Sequence, residues 1–274
     1  MGILSSVTRL KDWAHRRHGP RELRRTMAGL DGWESTAVGG AILSAQKDQL
    51  GEILPELFGY HLLELSCFNV AQLSEHSRIN HRFKLAPDMG FATPVVANYE
   101  ELPLASESLD VVVLHHVLDY SPHPHQVLRE ANRALIARGH LVIIGFNPWS
   151  FQGIYKVFAQ WLSAGDFWRR RSLRAGRVED WLRLLDCEPI YLKRGFYRAP
   201  INHQGLLSRF NFWEKICSRM RLPFGGYYII LARKDRVSVK PIKPVWRGIS
   251  PIAGLVIGKP AGRMPEPLRK NVRK

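Results

Sequence analysis

The sequence predicts an α/β fold, with a seven-stranded, mostly parallel, Rossmann-like sheet and helices on both of its faces. Two observations carry this prediction. Continuous apolar runs of strand length, such as residues 109–114 and 141–144, indicate strands buried on both sides, which are typical of parallel sheets. Segments with helical periodicity separate these runs, and strands that alternate with helices indicate βαβ units. With 274 residues, of which 45% are hydrophobic, the chain is long enough for one large domain.

The elements follow from apolar runs, periodicity and stop signals. Strands are predicted at residues 61–65, 80–85, 93–98, 109–114, 141–144, 189–193 and 227–231, and helices at residues 44–57, 125–137, 178–185 and 206–220. The helix at 125–137 follows Pro122 and Pro124 and stops before Gly139. Ser150 is the expected cap of a further helix. Ligands of such sheets bind beyond the carboxyl ends of the strands, so residues 61–70, 98–101 and 114–120 are the places to search.

The charge divides the chain into three parts. The net charge of +16 is concentrated outside residues 31–150, which are net acidic. Residues 1–30 are predicted to form a basic helical arm, residues 31–232 the domain, with a basic and aromatic excursion at 149–177, and residues 233–274 a basic tail rich in Pro and Gly. A solvated charge run is the expected role of Arg169–Arg171, and the basic segments would attract nucleic acid or anionic lipid without sequence specificity.

The cysteine content bears on the compartment. Cys67, Cys187 and Cys217 show no CxxC spacing, which argues against a disulfide framework and against a structural zinc site, so a reducing, cytoplasmic environment and no metal are expected. No apolar run is long enough to span a bilayer.

The first residues of the chain fit two targeting patterns. The Arg-rich start would also suit an organelle transit peptide, and Gly2 with Ser6 fits the loose myristoylation pattern.

The middle of the chain carries a family resemblance. Residues 98–104 (NYEELPL), 108–113 (SLDVVV) and 117–120 (VLDY), with the helix and strand that follow up to residue 143, resemble class I S-adenosylmethionine-dependent methyltransferases, most of all the type 11 group that includes quinone-biosynthesis enzymes. This resemblance implies S-adenosylmethionine as the cofactor and a small-molecule methyl acceptor. A nicotinamide dehydrogenase is poorly supported, because no GxGxxG follows any strand.

The loop after the first strand departs from the family pattern. The family has an acidic residue followed by three alternating glycines, whereas this chain has Glu64 and then Ser66, Phe68 and Val70 at the glycine positions. Side chains there narrow the space, and positive φ angles become unfavourable. Lys84 stands where the family has an acidic residue that accepts hydrogen bonds from the ribose, and an ammonium group has no lone pair to accept them.

Two hypotheses remain open at this stage. In the first, the loop takes another path and the cofactor is bound by Glu64, Ser66, Asn98, Tyr99 and the backbone near Leu114, where Asn98 replaces the family's aspartate beside the adenine. In the second, the pocket is closed and the domain is a non-catalytic protein that binds nucleic acid or an anionic membrane through its basic segments.

The neighbouring histidine is the catalytic candidate. His115 follows the fourth predicted strand, where the acceptor and the methyl group would meet, and a neutral imidazole could take a proton near pH 7. The alternative is that His115 packs against the sheet. The acceptor would be a small apolar metabolite beneath the aromatic excursion, since ligand pockets have mostly hydrophobic walls.

Overall fold

The computed structural model describes residues 23–28, 30–69, 73–87, 95–153, 156, 166–171, 173–197 and 223–235. All of them belong to the first of two units into which the chain divides, Met1–Ser238 and Val239–Lys274. The predicted helix at 206–220, nearly all of the predicted tail, and the arm up to residue 22 lie outside the described residues.

A mixed six-stranded sheet organises the described part of the chain. Its strands are β1 (His61–Ser66), β2 (His81–Leu85), β3 (Leu109–His115), β4 (Leu135–Phe146), β5 (Cys187–Gly195) and β6 (Tyr227–Lys234). Their spatial order is β2-β1-β3-β4-β6-β5. The pairs β1–β2, β1–β3 and β3–β4 are parallel, whereas β6 runs antiparallel to both β4 and β5.

The described residues form six strands and not the predicted seven, and β6 runs opposite to the other five. Of the predicted strand at 93–98, residues 93 and 94 lie outside the described residues, and the remainder forms isolated bridges, Ala86 to Val96 and Asn98 to Glu101. That run contains Pro94, which has no N–H to donate to a ladder. The direction of β6 was also missed, because a continuous apolar run reports burial on both faces and not strand direction.

Six helices have both of their ends within the described residues. They are α1 (Leu23–Ala28), α2 (Asp31–Glu34), α3 (Ala37–Ile53), α4 (Val117–Tyr120), α5 (Pro124–Ala134) and α6 (Ala175–Leu184), with short 3₁₀ turns at Leu54–Glu56 and Asp166–Arg169. Helix α3 starts seven residues before the predicted position, because the Thr36 hydroxyl accepts a hydrogen bond from the Gly39 N–H and caps it. Helix α5 ends three residues early, because Leu135 already pairs with Leu109 of β3.

Burial along the strands shows that both faces of the central sheet are covered. Residues 62–66 of β1 and residues 111–115 of β3 are buried at every position, and successive side chains of a strand point to opposite faces. Leu23, Met27 and Leu30 join this core from the end of the predicted arm. The edge strands β2 and β5 are more exposed, so the fully covered part of the sheet is its centre.

Candidate functional site at the carboxyl ends of β1, β3 and β4

The carboxyl ends of the parallel strands β1, β3 and β4 meet at one edge of the sheet. Ser66 at the end of β1 is in register with His115 at the end of β3, and His115 with Ile144 of β4. The pairing continues one residue further, because the His116 N–H donates to the Ile144 carbonyl oxygen at 2.9 Å. His116 then turns the chain into α4 with φ 58°, in the left-handed region that is uncommon for residues other than glycine.

The predicted catalytic residue, His115, is part of a chain of five buried polar side chains. Its Nδ1 atom lies 2.8 Å from Ser66 Oγ, and its Nε2 atom lies 2.9 Å from Gln46 Oε1. The Nε2 atom of Gln46 lies 2.9 Å from Nε2 of His116. The Nδ1 atom of His116 lies 3.0 Å from Asp119 Oδ2. None of these five residues has accessible surface, so water does not reach this series of hydrogen-bonded side chains.

The hydrogen-bond partners assign the direction of the bonds from Asp119 to His115. Because Oδ2 of Asp119 is an acceptor, His116 must carry its proton on Nδ1, and its bare Nε2 accepts from the Gln46 amide. The Gln46 oxygen then accepts from Nε2 of His115, which leaves the lone pair of His115 on Nδ1. The single hydroxyl hydrogen of Ser66 then has two acceptors within reach, His115 Nδ1 at 2.8 Å and the Phe68 carbonyl oxygen at 3.0 Å. The arrangement is self-consistent with both imidazoles neutral.

The electrostatic setting keeps both histidines neutral. Burial lowers the pKa of His115 well below its ordinary value, and the neighbouring His116 and Lys84 lower it further. Burial also lowers the pKa of His116, with a smaller contribution from Arg170. A neutral imidazole can accept a proton, and in this conformation the accepting nitrogen of His115 faces Ser66 Oγ.

Asp119 is the last side chain of this hydrogen-bonded series and lies in an apolar setting. Burial raises the pKa of its carboxyl to about 7, against the lowering effects of the Phe146 N–H, Arg170 and Lys156. Its Oδ2 atom accepts from the Phe146 N–H at 2.9 Å as well as from His116. Its Oδ1 atom is buried and has no hydrogen-bond partner among the described residues. Asp119 thus has unused accepting capacity on one side.

The predicted cofactor residues at the end of β1 are engaged by the protein itself. Glu64 accepts from the Leu73 N–H at 3.1 Å and from the Ser74 hydroxyl at 3.3 Å through Oε2, which ties the chain after residue 72 to β1. Its other oxygen, Oε1, is buried without a partner among the described residues. Burial raises the pKa of Glu64, and Lys84, its register neighbour on β2, opposes that rise.

Tyr99 and Asn98 differ sharply in their exposure. The Tyr99 hydroxyl lies 2.9 Å from the carbonyl oxygens of both Ser66 and Leu85, so it bridges the ends of β1 and β2 without any accessible surface. Asn98 is exposed, and its Oδ1 atom accepts from the Glu100 N–H. Leu114 is fully buried within β3. Of the predicted cofactor contacts, Asn98 is the one that solvent reaches.

Phe68, at the second glycine position of the family loop, fills the space above the strand ends. Its ring centroid lies 5.3 Å from Trp33 of α2, 5.3 Å from His116 and 6.0 Å from Tyr120. Trp33 in turn stacks on Phe167 at 4.2 Å. The Phe68 ring has no accessible surface. We refer to Trp33, Phe68, Phe146 and Phe167 as the aromatic plug.

In this conformation the residues present do not fit S-adenosylmethionine at its expected place. A side chain without accessible surface borders no space of even the size of a water molecule. Glu64 is 1% exposed, and Ser66, Tyr99, Leu114 and His115 are 0% exposed. A bound cofactor could touch these five residues only after the groups that cover them have moved, among them Phe68, which packs on the His115 ring. The Phe68 ring, packed against Trp33, is the side chain that narrows the space at this loop.

Gln46 is the member of the site that sequence reasoning missed. It belongs to α3, about seventy residues from the histidines that it joins, and no motif includes it. A signal was nevertheless present. Gln46 lies at helical spacing between Ile42 and Leu50, which are both buried, so a polar residue interrupts an apolar stripe. A buried amide needs partners, and the histidines supply them.

Among the described residues, no group of three or more His, Cys, Asp or Glu side chains is placed to hold a metal ion. No helix in the same part of the chain has the length and apolarity needed to cross a bilayer.

The chain is similar to methyltransferases in sequence and in fold. A family model described as "Methyltransferase domain" matches residues 61–143, which run from the start of β1 into β4. The uncharacterized protein YafS of Escherichia coli (strain K12) is 32% identical over 226 residues, which cover 82% of this chain and 90% of YafS.

Solved structures extend the similarity of the fold. A possible histamine N-methyltransferase from Thermotoga maritima, described as S-adenosylmethionine-dependent, matches with a TM-score of 0.52 at 15% identity and covers 70% of this chain and 88% of its own. An S-adenosylmethionine-dependent methyltransferase from Archaeoglobus fulgidus matches with a TM-score of 0.50 at 15% identity, covering 70% and 94%. The chain is therefore a relative of YafS, its residues 61–143 match the methyltransferase domain, and its fold is shared with S-adenosylmethionine-dependent methyltransferases.

Proposed function

We propose that the protein is an S-adenosylmethionine-dependent methyltransferase that acts on a small acceptor with an apolar part. The observation that carries this proposal is the match of the methyltransferase domain to residues 61–143, the segment that contains β1, β2, β3 and the site between their ends. Methyl transfer depends mainly on holding donor and acceptor in line, so no fixed set of catalytic side chains is required.

The chain's own residues support an acceptor site beside β3 and β4. Phe146 and Phe167 provide apolar walls at the end of β4, in keeping with the mostly hydrophobic lining of ligand pockets. Trp149 and Phe151, from the described start of the aromatic excursion, are 54% and 58% exposed and so remain available to cover a ligand. His115 would accept a proton through Ser66, because its accepting nitrogen faces that hydroxyl.

Binding of the cofactor requires the aromatic plug to open. Trp33 is the contact most readily moved, since it is only half-buried and lies on α2, a helix of one turn. In this proposal the described conformation is a closed form, and opening separates Trp33 from Phe68. A closed form lowers the apparent affinity by the fraction of molecules that are open, and a substitution that favours opening restores it.

Calorimetric titration with S-adenosylhomocysteine tests the proposal. We expect weak binding to the natural protein and binding about ten-fold tighter or more to Trp33→Leu, because a smaller side chain releases Phe68. Trp181→Leu is the matched control, since Trp181 is also half-buried and also packs on a ring, that of His125, outside the site. If neither the natural protein nor Trp33→Leu binds at millimolar ligand, the methyltransferase proposal fails. Equal binding by all three proteins would refute the opening of the plug.

A non-catalytic role is the alternative, and one observation favours it, namely the complete burial of His115 and of four predicted cofactor residues. The same titration decides between the two. Contact with nucleic acid or anionic lipid through the basic segments remains a prediction from charge. One part of the expected solvated run is wrong, because Arg170 is 3% exposed.

A further inference from the structure

The hydrogen-bonded side chains between the ends of β1 and β3 have more contacts than one direction of donation can use. The Oε1 atom of Gln46 lies 3.3 Å from His116 Nε2, in addition to the amide nitrogen at 2.9 Å. Ser66 Oγ lies 2.8 Å from His115 Nδ1 and 3.0 Å from the Phe68 carbonyl oxygen. An amide exchanges donor and acceptor when it turns by about 180°, and an imidazole can carry its proton on either nitrogen. The series can therefore donate in two opposite directions.

The first direction requires an ionised Asp119. Its Oδ2 atom then accepts from Nδ1 of His116, whose bare Nε2 accepts from the Gln46 amide. The amide oxygen accepts from Nε2 of His115. The other nitrogen of His115, Nδ1, is bare and faces the hydroxyl of Ser66. In this arrangement His115 can accept a proton on that side.

The opposite direction requires a proton on Oδ2 of Asp119. This proton is donated to Nδ1 of His116, which then carries its own proton on Nε2 and donates to the turned amide oxygen of Gln46. The amide nitrogen donates to Nε2 of His115, whose Nδ1 then donates to the oxygen of Ser66. The serine hydrogen points to its other acceptor, a backbone carbonyl oxygen. Each imidazole keeps one proton in both arrangements, so the two differ only by the proton that Asp119 gains from water, and every bond of the series is kept.

The geometry favours Oδ2 of Asp119 as the atom that takes the added proton. On Oδ1 the proton would be a buried donor without a hydrogen-bond partner among the described residues, whereas on Oδ2 it faces His116 Nδ1 at 3.0 Å. Oδ2 still has a lone pair for the Phe146 N–H. Burial raises the pKa of Asp119 to about 7 and lowers the pKa values of His115 and His116, so the carboxylate and not an imidazole takes the proton.

Other ionisable groups surround the series. Arg170 and Lys156 oppose the rise in the pKa of Asp119, but burial outweighs them. Burial lowers the pKa of Lys156 to about 8, and Arg170 stays charged as arginines do. The remaining groups are Cys67, Tyr120 and Tyr228 around Asp119, whose pKa values burial raises, and Lys84 beside His115. Of this set, Asp119 is the group that titrates closest to neutral pH.

We propose that Asp119 is a positioning residue, whose protonation state determines whether His115 presents a bare nitrogen or an N–H to Ser66. His116 and Gln46 transmit the change, because each of them exchanges a donor for an acceptor. This role rests on the proposed function, in which only a bare Nδ1 of His115 can accept a proton from the methyl acceptor through the serine. Protonation of Asp119 would remove this accepting nitrogen without any change at the cofactor residues.

Nuclear magnetic resonance of the protein with ¹⁵N-labelled histidine rings tests this role, because two-bond couplings between the ring hydrogens and nitrogens show which nitrogen carries the proton. We expect His115 to carry it on Nε2 and His116 on Nδ1 at high pH. Both should exchange to the other nitrogen at low pH, with one common midpoint near the pKa of Asp119, about 7. The signals are assigned by their loss from His115→Gln and from His116→Gln.

Three variants distinguish coupling from a purely structural role. In Asp119→Asn the amide oxygen can replace Oδ2 as the acceptor, so both histidines should keep the high-pH arrangement at every pH. Gln46→Met has neither donor nor acceptor, so His116 should still exchange its proton while His115 no longer follows it. Gln49→Met is the matched control, because Gln49 lies half-buried on the same helix outside the series, and the coupled exchange should persist.

Three results would overturn the positioning role. They are an unchanged protonated nitrogen in both histidines between about pH 5.5 and pH 8.5, separate midpoints for the two, and an exchange that persists in Asp119→Asn. If Gln46→Met does not fold, the natural protein and Asp119→Asn decide the question, since the common midpoint and its loss do not depend on that variant.

The outcome is separable from that of the proposed function, because the measurement needs no cofactor. A coupled exchange without any binding of S-adenosylhomocysteine would leave the positioning of His115 standing and remove only its role in methyl transfer. Binding of S-adenosylhomocysteine without a coupled exchange would keep the methyltransferase and refute the positioning role of Asp119.

Discussion

The Phe146 ring separates two buried polar regions of opposite character. His116 stacks on the ring at 3.9 Å and Arg170 lies at 4.2 Å, and two groups at these distances must occupy opposite faces. On the histidine side, every ring nitrogen and both amide atoms of Gln46 have partners. On the arginine side, donors of Arg170 and Arg171 are without partners among the described residues. The hydrogen bonds of the two histidines and Gln46 are thus satisfied, whereas Asp119 Oδ1 and the two arginine donors lack partners among the described residues.

The largest effect is expected from emptying the aromatic plug on the histidine side. Phe68→Ala removes a fully buried ring and should lower the free energy of unfolding by about 3–5 kcal/mol, because a cavity remains. Phe58→Ala is the control, since Phe58 is 69% exposed and its loss should change stability by about 0.5 kcal/mol or less. Urea denaturation measures both. Equal losses in the two variants would show that the ring is not packed as described.

A smaller loss is expected from breaking the histidine chain at its centre. Gln46→Leu leaves one nitrogen of each histidine unsatisfied in the core, which should reduce stability by about 2–3 kcal/mol. Gln49→Leu on the same helix is the matched control. Gln49 is half-buried and its Oε1 atom has no partner among the described residues, so its removal should be nearly neutral or stabilising. The comparison fails if Gln49→Leu is as harmful as Gln46→Leu in urea denaturation.

A third effect is a difference in the pH dependence of stability at Asp119, the residue that joins the two sides. The pKa of Asp119 is raised from 3.8 to about 7 in the folded protein, so the folded state holds this proton more tightly than the unfolded state. Its contribution to stability is therefore present below about pH 4 and is lost as the pH rises toward 7, by at most about 1.4 kcal/mol per pH unit. Asp119→Asn lacks this loss.

The measurement is the free energy of unfolding of both proteins between pH 4 and pH 7.5. His115 and His116 have lowered pKa values and give a contribution of the opposite sign, which rises with pH, but both proteins share it. The stability of Asp119→Asn relative to the natural protein should thus increase across this range. Parallel curves would mean that Arg170 and Lys156 keep Asp119 ionised throughout.

The bounds of a strand could be predicted closely from sequence where burial on both faces alone determines them. The apolar runs at 61–65 and 109–114 became β1 and β3 with one residue added to each, because continuous burial requires both faces to be covered. Strand β4 is much longer than the run at 141–144, since its first residues pair with β3 and its later ones with β6. Partners of this kind are distant in sequence, so a local pattern does not report them.

The residues of the candidate site also divide into those that a local pattern indicates and those that only contacts between distant segments bring in. The sequence pointed to His115 and to the altered loop at Ser66 and Phe68, because a strand that ends in polar residues marks this edge of the sheet. It did not indicate Gln46, which reaches the histidines only because α3 packs over the strand ends. Nor did it indicate that Arg170 would be buried, because the burial of one arginine in a basic run depends on where the chain folds back.

The sequence by itself determined the class of fold, the family and the places where ligands could bind, since periodicity, apolar runs and motif residues are local properties of the chain. The tertiary structure decided which side chains meet there. It placed Phe68 against Trp33, joined two neutral histidines through Gln46, and enclosed Arg170 between aromatic rings beside a weakly ionised Asp119. Burial and unmet hydrogen bonds arise only when distant segments pack together, and at this edge of the sheet they define the closed cofactor site.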